Sequence, residues 1–221
     1  MDVIKKAVKE GRKTLSEYES RLVIESAGVF VAAAALTKTK EEAIREAEAM
    51  GYPVVMKGCS AELSHKTEAG MVALNITDSD QVAQVFDELT SKAKNLDGIL
   101  VEKMVRGSRE FVIGLSRDPS FGPCVMFGLG GIFTEALKDV TFRVAPLTRE
   151  DALEMIDEIK TKKLLGEFRG SPAVDRESLA KALVGVGDLG IKYDSIAEID
   201  INPLIICGDK PVAVDALVVL K

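Results

Sequence analysis

The sequence contains a single histidine, His65, and it lies in the polar stretch CSAELSHKTEAGM. Its serine, threonine and lysine neighbours make this a polar, flexible run, in which the imidazole would be free to move. The residues by themselves leave two interpretations open, a solvated loop histidine and a functional imidazole.

Acidic and amide side chains interrupt two apolar segments near the C-terminus. In EIDINPL, Asp200 and Asn202 alternate with isoleucines and so share one face of a strand. Asp215 lies in the next apolar segment, VAVDAL, and a hairpin through the turn CGDK would bring it beside Asn202. Two oxygen ligands, together with phosphate oxygens and waters, satisfy Mg²⁺. The alternative is a turn-end acid on a polar edge strand, although a buried acid costs free energy unless it is paired.

Two cations stand at places suited to phosphate binding. Lys57 ends the apolar run YPVVMKG, which predicts a buried stem and an ammonium at the mouth of a strand. Arg143 in TFRVAPL is a second cation in a similar setting and a candidate for neutralising phosphate oxygens. An ordinary snorkelling lysine explains the first pattern equally well.

A glycine-rich segment and two glutamates complete the candidate residues. Gly128, Gly130 and Gly131 in MFGLGGIFTE would let backbone N–H groups approach an anion, but they match neither GxGxxG nor the P-loop motif. Glu102 interrupts the apolar run LVEKM, and Glu110 follows eight residues later on the next strand-like segment.

Helices and strands alternate without a strict β-α-β order. Capping-box spacing predicts helices that begin near Thr14 and Thr39, and Thr148 is predicted to cap a third helix, followed by two more before Gly190. Several strands are joined by short turns. The pattern predicts an α/β (α+β) protein of two lobes, residues 1–97 and 98–221, with mixed or antiparallel sheets.

Composition narrows the class of protein. The chain has 221 residues, 47% of them hydrophobic, and a net charge of −6, which argues against a general nucleic-acid role. The three cysteines are far apart and form no CxxC pair, which suits a reducing compartment. No apolar run is long enough to span a membrane, so we expect a cytoplasmic protein that makes no membrane contact.

Four stretches together resemble one family. GYPVVMKG, SHKTEAGMVALNI, RDPSFGPCVMFGLGGIFTEALKDVTFRVAPL and EIDINPLI are similar to the ATP-grasp subunit of the nucleoside-diphosphate-forming acyl-CoA synthetases, from about Leu15 to the end of the chain. The resemblance implies an ATP-grasp fold, in which two lobes clasp the nucleotide. It also implies ATP or ADP and Mg²⁺ as cofactors.

The resemblance assigns roles to individual residues. The nucleotide-binding residues would be Lys57, Glu102, Lys103, Met104 and Glu110. Asn202 and Asp215 would hold Mg²⁺ with Asp200 close behind, while His65 and Arg143 would be catalytic. One departure is Met71, because family members often read HKSDVGGV where this chain has HKTEAGMV.

The implied reaction is acyl-CoA + ADP + phosphate ⇌ carboxylic acid + CoA + ATP. It would need a CoA-binding α subunit, in an α2β2 heterotetramer. A histidine of the α subunit would carry the phosphoryl group first, and His65 would be a second carrier before the transfer to ADP. Two alternatives remain at this point. One is a non-catalytic regulatory module with the same fold, and the other is an ATP-grasp carboxylate ligase that uses no phosphohistidine.

Overall fold

The computed structural model describes residues 2–62, 69–93, 95–131, 139–168 and 170–221. Within these ranges the α-helices are α1 (Asp2–Lys9), α2 (Glu17–Ser26), α3 (Lys40–Met50), α4 (Ser79–Lys92), α5 (Arg149–Glu158) and α6 (Arg176–Lys192). The strands are β1 (Ala34–Thr37), β2 (Val54–Cys59), β3 (Val72–Ile76), β4 (Gly98–Lys103), β5 (Glu110–Asp118), β6 (Gly122–Leu129), β7 (Val140–Val144), β8 (Ile196–Cys207), β9 (Lys210–Ala213) and β10 (Leu217–Leu220). A short 3₁₀ helix covers Lys162–Leu165. No helix in the described ranges is long and apolar enough to cross a membrane.

The chain divides into two compact units. The larger unit contains Met1–Thr14, Glu19–Val31 and Val105–Lys221, and the smaller unit contains Leu15–Tyr18 and Ala32–Met104.

This division differs from the one expected at residues 97 and 98. β4 belongs to the smaller unit because it pairs with both β1 and β2. Much of the N-terminal segment belongs to the larger unit, because Thr14 and Val31 form β-bridges with Val219 and Ala213.

The smaller unit is an antiparallel sheet in the order β1-β4-β2-β3, with α3 and α4 packed on it. The predicted capping box of Thr39 and Glu42 starts α3. Val54 and Met56 of β2 point into the core beneath the helices. Since side chains alternate along a strand, Val55, Lys57 and Cys59 lie on the opposite face.

The larger unit is a sheet in the order β10-β8-β5-β6-β7, with β9 also paired to β8. α5 packs on β6 and β7, and α6 packs on β5, β6 and β8. A Cβ added at Gly190 of α6 would lie 2.6 Å from Leu115, so Leu115 faces the helices. Ile199 pairs with Leu115 and shares that face, which leaves Asp200 on the other face of the sheet.

The predicted α+β class with antiparallel sheets is confirmed, and three local predictions differ from the structure. Helix α2 begins at Glu17, because Thr14 lies in a bridge to Val219 and not at an N-cap. After α5 the described chain forms one 3₁₀ helix and one long helix where two helices were expected. The C-terminal segment makes two strands, β9 and β10, and both pair with β8.

Candidate functional site

Lys57 lies in the smaller unit as part of a buried cluster of charges. Its Nζ donates to Glu17 Oε1 at 2.8 Å and to Glu102 Oε2 at 3.1 Å. The side chains are 7%, 2% and 2% exposed, respectively. Glu102 reaches Lys57 along a diagonal, because Val55 pairs with Glu102 while Lys57 pairs with Leu100. The structure therefore brings together Lys57 and Glu102, which the sequence had singled out separately.

The two residues after Glu102 have partners within the smaller unit. Lys103 donates from its backbone N to Ala33 O at 2.8 Å and from Nζ to Gly51 O at 2.7 Å. The backbone N of Met104 donates to Pro53 O at 3.3 Å. These contacts fix the backbone immediately after Glu102.

Glu110 lies at the start of β5 in the larger unit, against the glycine-rich segment. Gly130 donates its N–H to Glu110 O at 2.9 Å. Gly131 has a φ of +69°, and a Cβ there would come within 2.6 Å of Glu110 Oε2. Glycine at 131 therefore provides the space that the Glu110 carboxylate occupies.

Arg109 anchors the same end of β5, although nothing in the sequence pattern indicated it. The side chain is 3% exposed. Its guanidinium donates to four backbone carbonyls at 2.9 to 3.1 Å, those of Leu164, Gly166, Pro172 and Gly208. Because Arg109 precedes Glu110, this network fixes the backbone that carries the Glu110 carboxylate.

The acidic residues of the C-terminal segment meet on the face of the sheet opposite to the one on which α5 and α6 pack. The neighbour of Asp200 on β5 is Gly114, which has no side chain to cover the carboxylate. Leu204 of β8 pairs with Ala213 of β9 in an antiparallel register. Two residues before Leu204 and two residues after Ala213, the same register places Asn202 opposite Asp215. Val214 donates its N–H to Pro203 O at 3.3 Å, which continues the same register.

The negative charges of this acidic group shift the pKa of Asp200. Burial raises its pKa, as do the nearby charges of Glu198 and Asp215, from 3.8 to about 6. Among the described residues, no group of three or more His, Cys, Asp or Glu side chains is arranged to hold a metal. The two carboxylates of Asp200 and Asp215 and the amide of Asn202 nevertheless fit Mg²⁺. This ion takes few ligands from the protein and fills its remaining coordination positions with oxygens of phosphate and water.

Arg143 is placed differently from the expectation. It pairs with Val125 across the sheet, and Val125 packs against Gly187 of α6, so Arg143 lies on the helix-covered face and not on that of Asp200. Its guanidinium donates to both carboxylate oxygens of Glu158 at 3.0 and 2.6 Å. This contact raises the pKa of Arg143. Arg143 is paired with Glu158 on the face of the sheet opposite to Asp200. We therefore leave Arg143 out of the proposed phosphate site.

Met71 fills a position in the core of the smaller unit. The side chain is 2% exposed and belongs to the cluster beneath α3 and α4. A Cβ at Gly58 would lie 2.2 Å from Met71 Cε. The departure from the family pattern therefore changes core packing on the face of β2 opposite to Lys57.

His65 lies outside the described residues, as do Ile132 to Glu135 of the glycine-rich segment. Glu17 and Glu198 are described residues that sequence reasoning missed. Glu17 was interpreted as a capping-box residue of α2, and its buried partner Lys57 is 40 residues away in the chain. For Glu198 a signal was available, since it alternates with Asp200 along the same strand.

Known proteins resemble this chain over nearly its whole length. Residues 6–220 match the model of the family described as "ATP-grasp domain". The β subunit of ADP-forming acetate–CoA ligase I from Pyrococcus furiosus is 43% identical over 225 residues, which are 99% of this chain and 97% of that protein.

Solved structures agree. The dinucleotide-forming acetyl-coenzyme A synthetase 1 of Ca. Korarchaeum cryptofilum, in complex with coenzyme A, Ca-AMPCP and HgCl⁺, superposes with a TM-score of 0.94 at 41% identity, covering 100% of this chain and 99% of that chain. A structure of the same enzyme with coenzyme A and Mg-AMPPCP, its phosphohistidine segment pointing towards the nucleotide binding site, gives a TM-score of 0.87 at 41% identity and the same coverage. The chain therefore has the ATP-grasp fold and belongs to the family of ADP-forming acetate–CoA ligase β subunits.

Proposed function

We propose that this chain binds Mg²⁺ with ADP or ATP and exchanges a phosphoryl group between the nucleotide and a phosphohistidine. It would do so as the β subunit of an ADP-forming acyl-CoA ligase, the activity for which its relatives are named. The observation that carries the proposal is the acidic group around Asp200, where burial and accumulated negative charge raise the pKa of Asp200 to about 6. A divalent cation would neutralise that charge.

Asn202 and Asp215 are the proposed Mg²⁺ ligands, with Asp200 beside them. Facing register positions supply one amide oxygen and one carboxylate from two adjacent segments. The ion, when bound, supplies positive charge that offsets the charge of the phosphate oxygens. Structures of the Korarchaeum relative were obtained with Mg-AMPPCP and with Ca-AMPCP, which supports a divalent site of this kind.

Each unit has its own proposed nucleotide contacts. Lys57 in the smaller unit would bind phosphate oxygens as a point charge, and Glu102, Lys103 and Met104 would bind the adenosine part. Glu110 in the larger unit is held against Gly131 and would add a second carboxylate contact to the nucleoside.

The proposed chemical step is phosphoryl transfer from a histidine nitrogen to ADP. The N–P bond of the phosphohistidine breaks as an oxygen of the terminal phosphate of ADP forms the new O–P bond. The ring takes up one proton from the solvent, so that the products are ATP and a neutral imidazole. Protein catalysis of such a step is mostly positioning and charge neutralisation, which we assign to Lys57 and to the acids that hold Mg²⁺. His65 is the proposed carrier on this chain.

The rest of the reaction needs a partner subunit. The names of the relatives as β subunits support a partnership, and we propose a CoA-binding α subunit in an α2β2 assembly. There, phosphate would break the thioester and the resulting acyl phosphate would phosphorylate a histidine. The three cysteines are free, in keeping with the cytoplasmic location that we propose.

The test is reconstitution with the α partner, an acyl-CoA, ADP and ³²P-labelled phosphate. The proposal predicts labelled ATP and an acid-labile, base-stable label on this chain, which His65→Ala removes together with turnover. Absence of any label and turnover would favour a non-catalytic module. Full turnover by the His65→Ala variant would favour an ATP-grasp ligase that uses no phosphohistidine on this chain.

A further inference from the structure

The segment Leu15–Tyr18 clusters with the smaller unit, apart from the rest of α2. It lies along the face of β2 that is opposite to α3 and α4. The side chain of Ser16 and the backbone of Tyr18 hydrogen-bond to the Cys59 thiol. Lys57, two residues before Cys59 on the same face of β2, donates to Glu17. Ser16 and Glu17 are 2% and 5% exposed. The segment therefore forms a packed cover over Lys57 and Cys59.

Within this cover, Glu17 makes the shorter of the two contacts to Lys57. The distance is 2.8 Å to Glu17 and 3.1 Å to Glu102. The two carboxylates lie on different elements, Glu17 on α2 and Glu102 on β4. An ammonium that donates to two acceptors on different elements is held at one position. Without such anchors, a lysine head on a four-carbon stem retains its rotational freedom.

The geometry points to Glu17 as a positioning residue that holds the Lys57 ammonium where it meets the nucleotide phosphates. This inference rests on the proposed function, since it acts through the phosphate contact assigned to Lys57. Glu17 touches Lys57 and is assigned no contact with the substrate. Its effect should therefore appear in nucleotide affinity and should depend on the presence of Lys57.

A double-mutant cycle on the complete chain tests this dependence. The affinity for Mg·ADP is measured by isothermal titration calorimetry for the wild type, Glu17→Gln, Lys57→Met and the double variant. Glu17→Gln keeps the side-chain length and one acceptor oxygen but removes the charge. Glu25→Gln is the matched control, because Glu25 is an exposed glutamate on the same helix. Melting temperatures without nucleotide show whether each variant is folded.

We expect Glu17→Gln to weaken Mg·ADP binding about tenfold, a factor that corresponds to 1.4 kcal/mol at 25 °C. The control should stay within about twofold of the wild type. In the Lys57→Met background, Glu17→Gln should cause no further loss, because the residue through which it acts is gone. With the α partner present, the KM for ADP should rise while kcat changes little.

The other outcomes would overturn either the positioning role of Glu17 or the proposed function. Affinity of Glu17→Gln equal to that of the control, or tighter than wild type, would overturn the positioning role. The positioning role would also be overturned if Glu17→Gln lowered the affinity for Mg·ADP equally in the wild-type chain and in the Lys57→Met variant. Glu17 would then act independently of Lys57. Failure of the wild-type chain to bind Mg·ADP would instead overturn the proposed function, and the inference about Glu17 with it.

Discussion

Asn202 lies opposite Asp215 at the point where β8 exchanges one partner strand, β9, for the other, β10. The pair therefore lies in the gap between the two ladders that β8 forms with β9 and with β10. Val214 to Pro203 is the backbone hydrogen bond that keeps the register through this break. The arrangement presents an amide and a carboxylate beside Asp200, on the side of the sheet away from α5 and α6.

The raised pKa of Asp200 predicts that this acid lowers the stability of the metal-free protein. A folded-state pKa of about 6 against 3.8 means that the folded chain binds the proton more tightly. Stability should therefore fall as the pH rises from about 4 to about 6, by roughly 3 kcal/mol at 1.4 kcal/mol per pH unit. Asp200→Asn should remove this loss and raise the melting temperature of the metal-free chain at pH 8.

Thermal unfolding of both proteins between pH 4 and pH 8, with and without Mg²⁺, checks this prediction. The wild type should gain stability from Mg²⁺ at pH 8, and Asp200→Asn should gain less. A variant that is less stable than wild type at pH 8 without metal would show that the Asp200 carboxylate is not under electrostatic stress.

Gly131→Ala should weaken nucleotide binding by displacing Glu110. The new methyl group would meet Glu110 Oε2 at 2.6 Å, and the φ of +69° adds backbone strain. Gly122→Ala is the matched control, because Gly122 has a φ of +80° and nothing lies within 4 Å of an added Cβ. Both variants should lose about 1 kcal/mol of stability from strain.

Calorimetric titration with ADP separates the two effects. Only Gly131→Ala should bind ADP more weakly, by about tenfold if one charged hydrogen bond is lost. Equal affinity in the two variants would remove Glu110 from the proposed nucleotide site.

Arg143→Ala should leave nucleotide affinity nearly unchanged. Arg143 lies on the helix-covered face and is paired with Glu158, in an ion pair whose glutamate is half exposed. Such pairs contribute about 0 to 1 kcal/mol to stability. The measurement is the Kd of Mg·ADP for Arg143→Ala beside Lys57→Met. A loss as large as that of Lys57→Met would restore Arg143 to the phosphate site.

Gly58→Ala should destabilise the smaller unit through contact with Met71. The added Cβ would lie 2.2 Å from Met71 Cε in a close-packed core. Overpacking of this kind costs about 1 to 3 kcal/mol. Met71→Ala alone should also destabilise, by opening a cavity, whereas the two changes together should compensate in part. Additive losses in urea unfolding would contradict direct contact between the two side chains.

The sequence was sufficient where the signal is local to one strand. The alternation around Asp200, with the turn after β8, was enough to predict that Asp215 faces Asn202. Lys57 was predicted to end its strand, but β2 continues to Cys59 and the Lys57 ammonium is buried against Glu17 and Glu102. The sequence was insufficient where the signal depends on which face a helix covers. The sequence showed Arg143 only as a cation within an apolar run, and the packing of α6 on its neighbour Val125 shows that its face of the sheet is directed away from the acids.

The same limitation explains Glu17. Its spacing from Thr14 matched a capping box, which is a local pattern, and its buried contact to Lys57 depends on how the chain returns after 40 residues. The domain division was misjudged for the same reason, because the partners of Thr14 and Val31 lie in the last strands of the chain.

The proposed function depends above all on a nucleotide bound through Mg²⁺ that is held by the acids of the C-terminal segment. Isothermal titration of ADP into the wild-type chain and into Asp215→Ala, each with Mg²⁺ and with EDTA, measures this dependence. We expect one ADP per wild-type chain with Mg²⁺, and an affinity at least about tenfold weaker with EDTA or in Asp215→Ala. Equal affinity in all four titrations, or no binding by the wild type, would show that the acids hold no metal for the nucleotide.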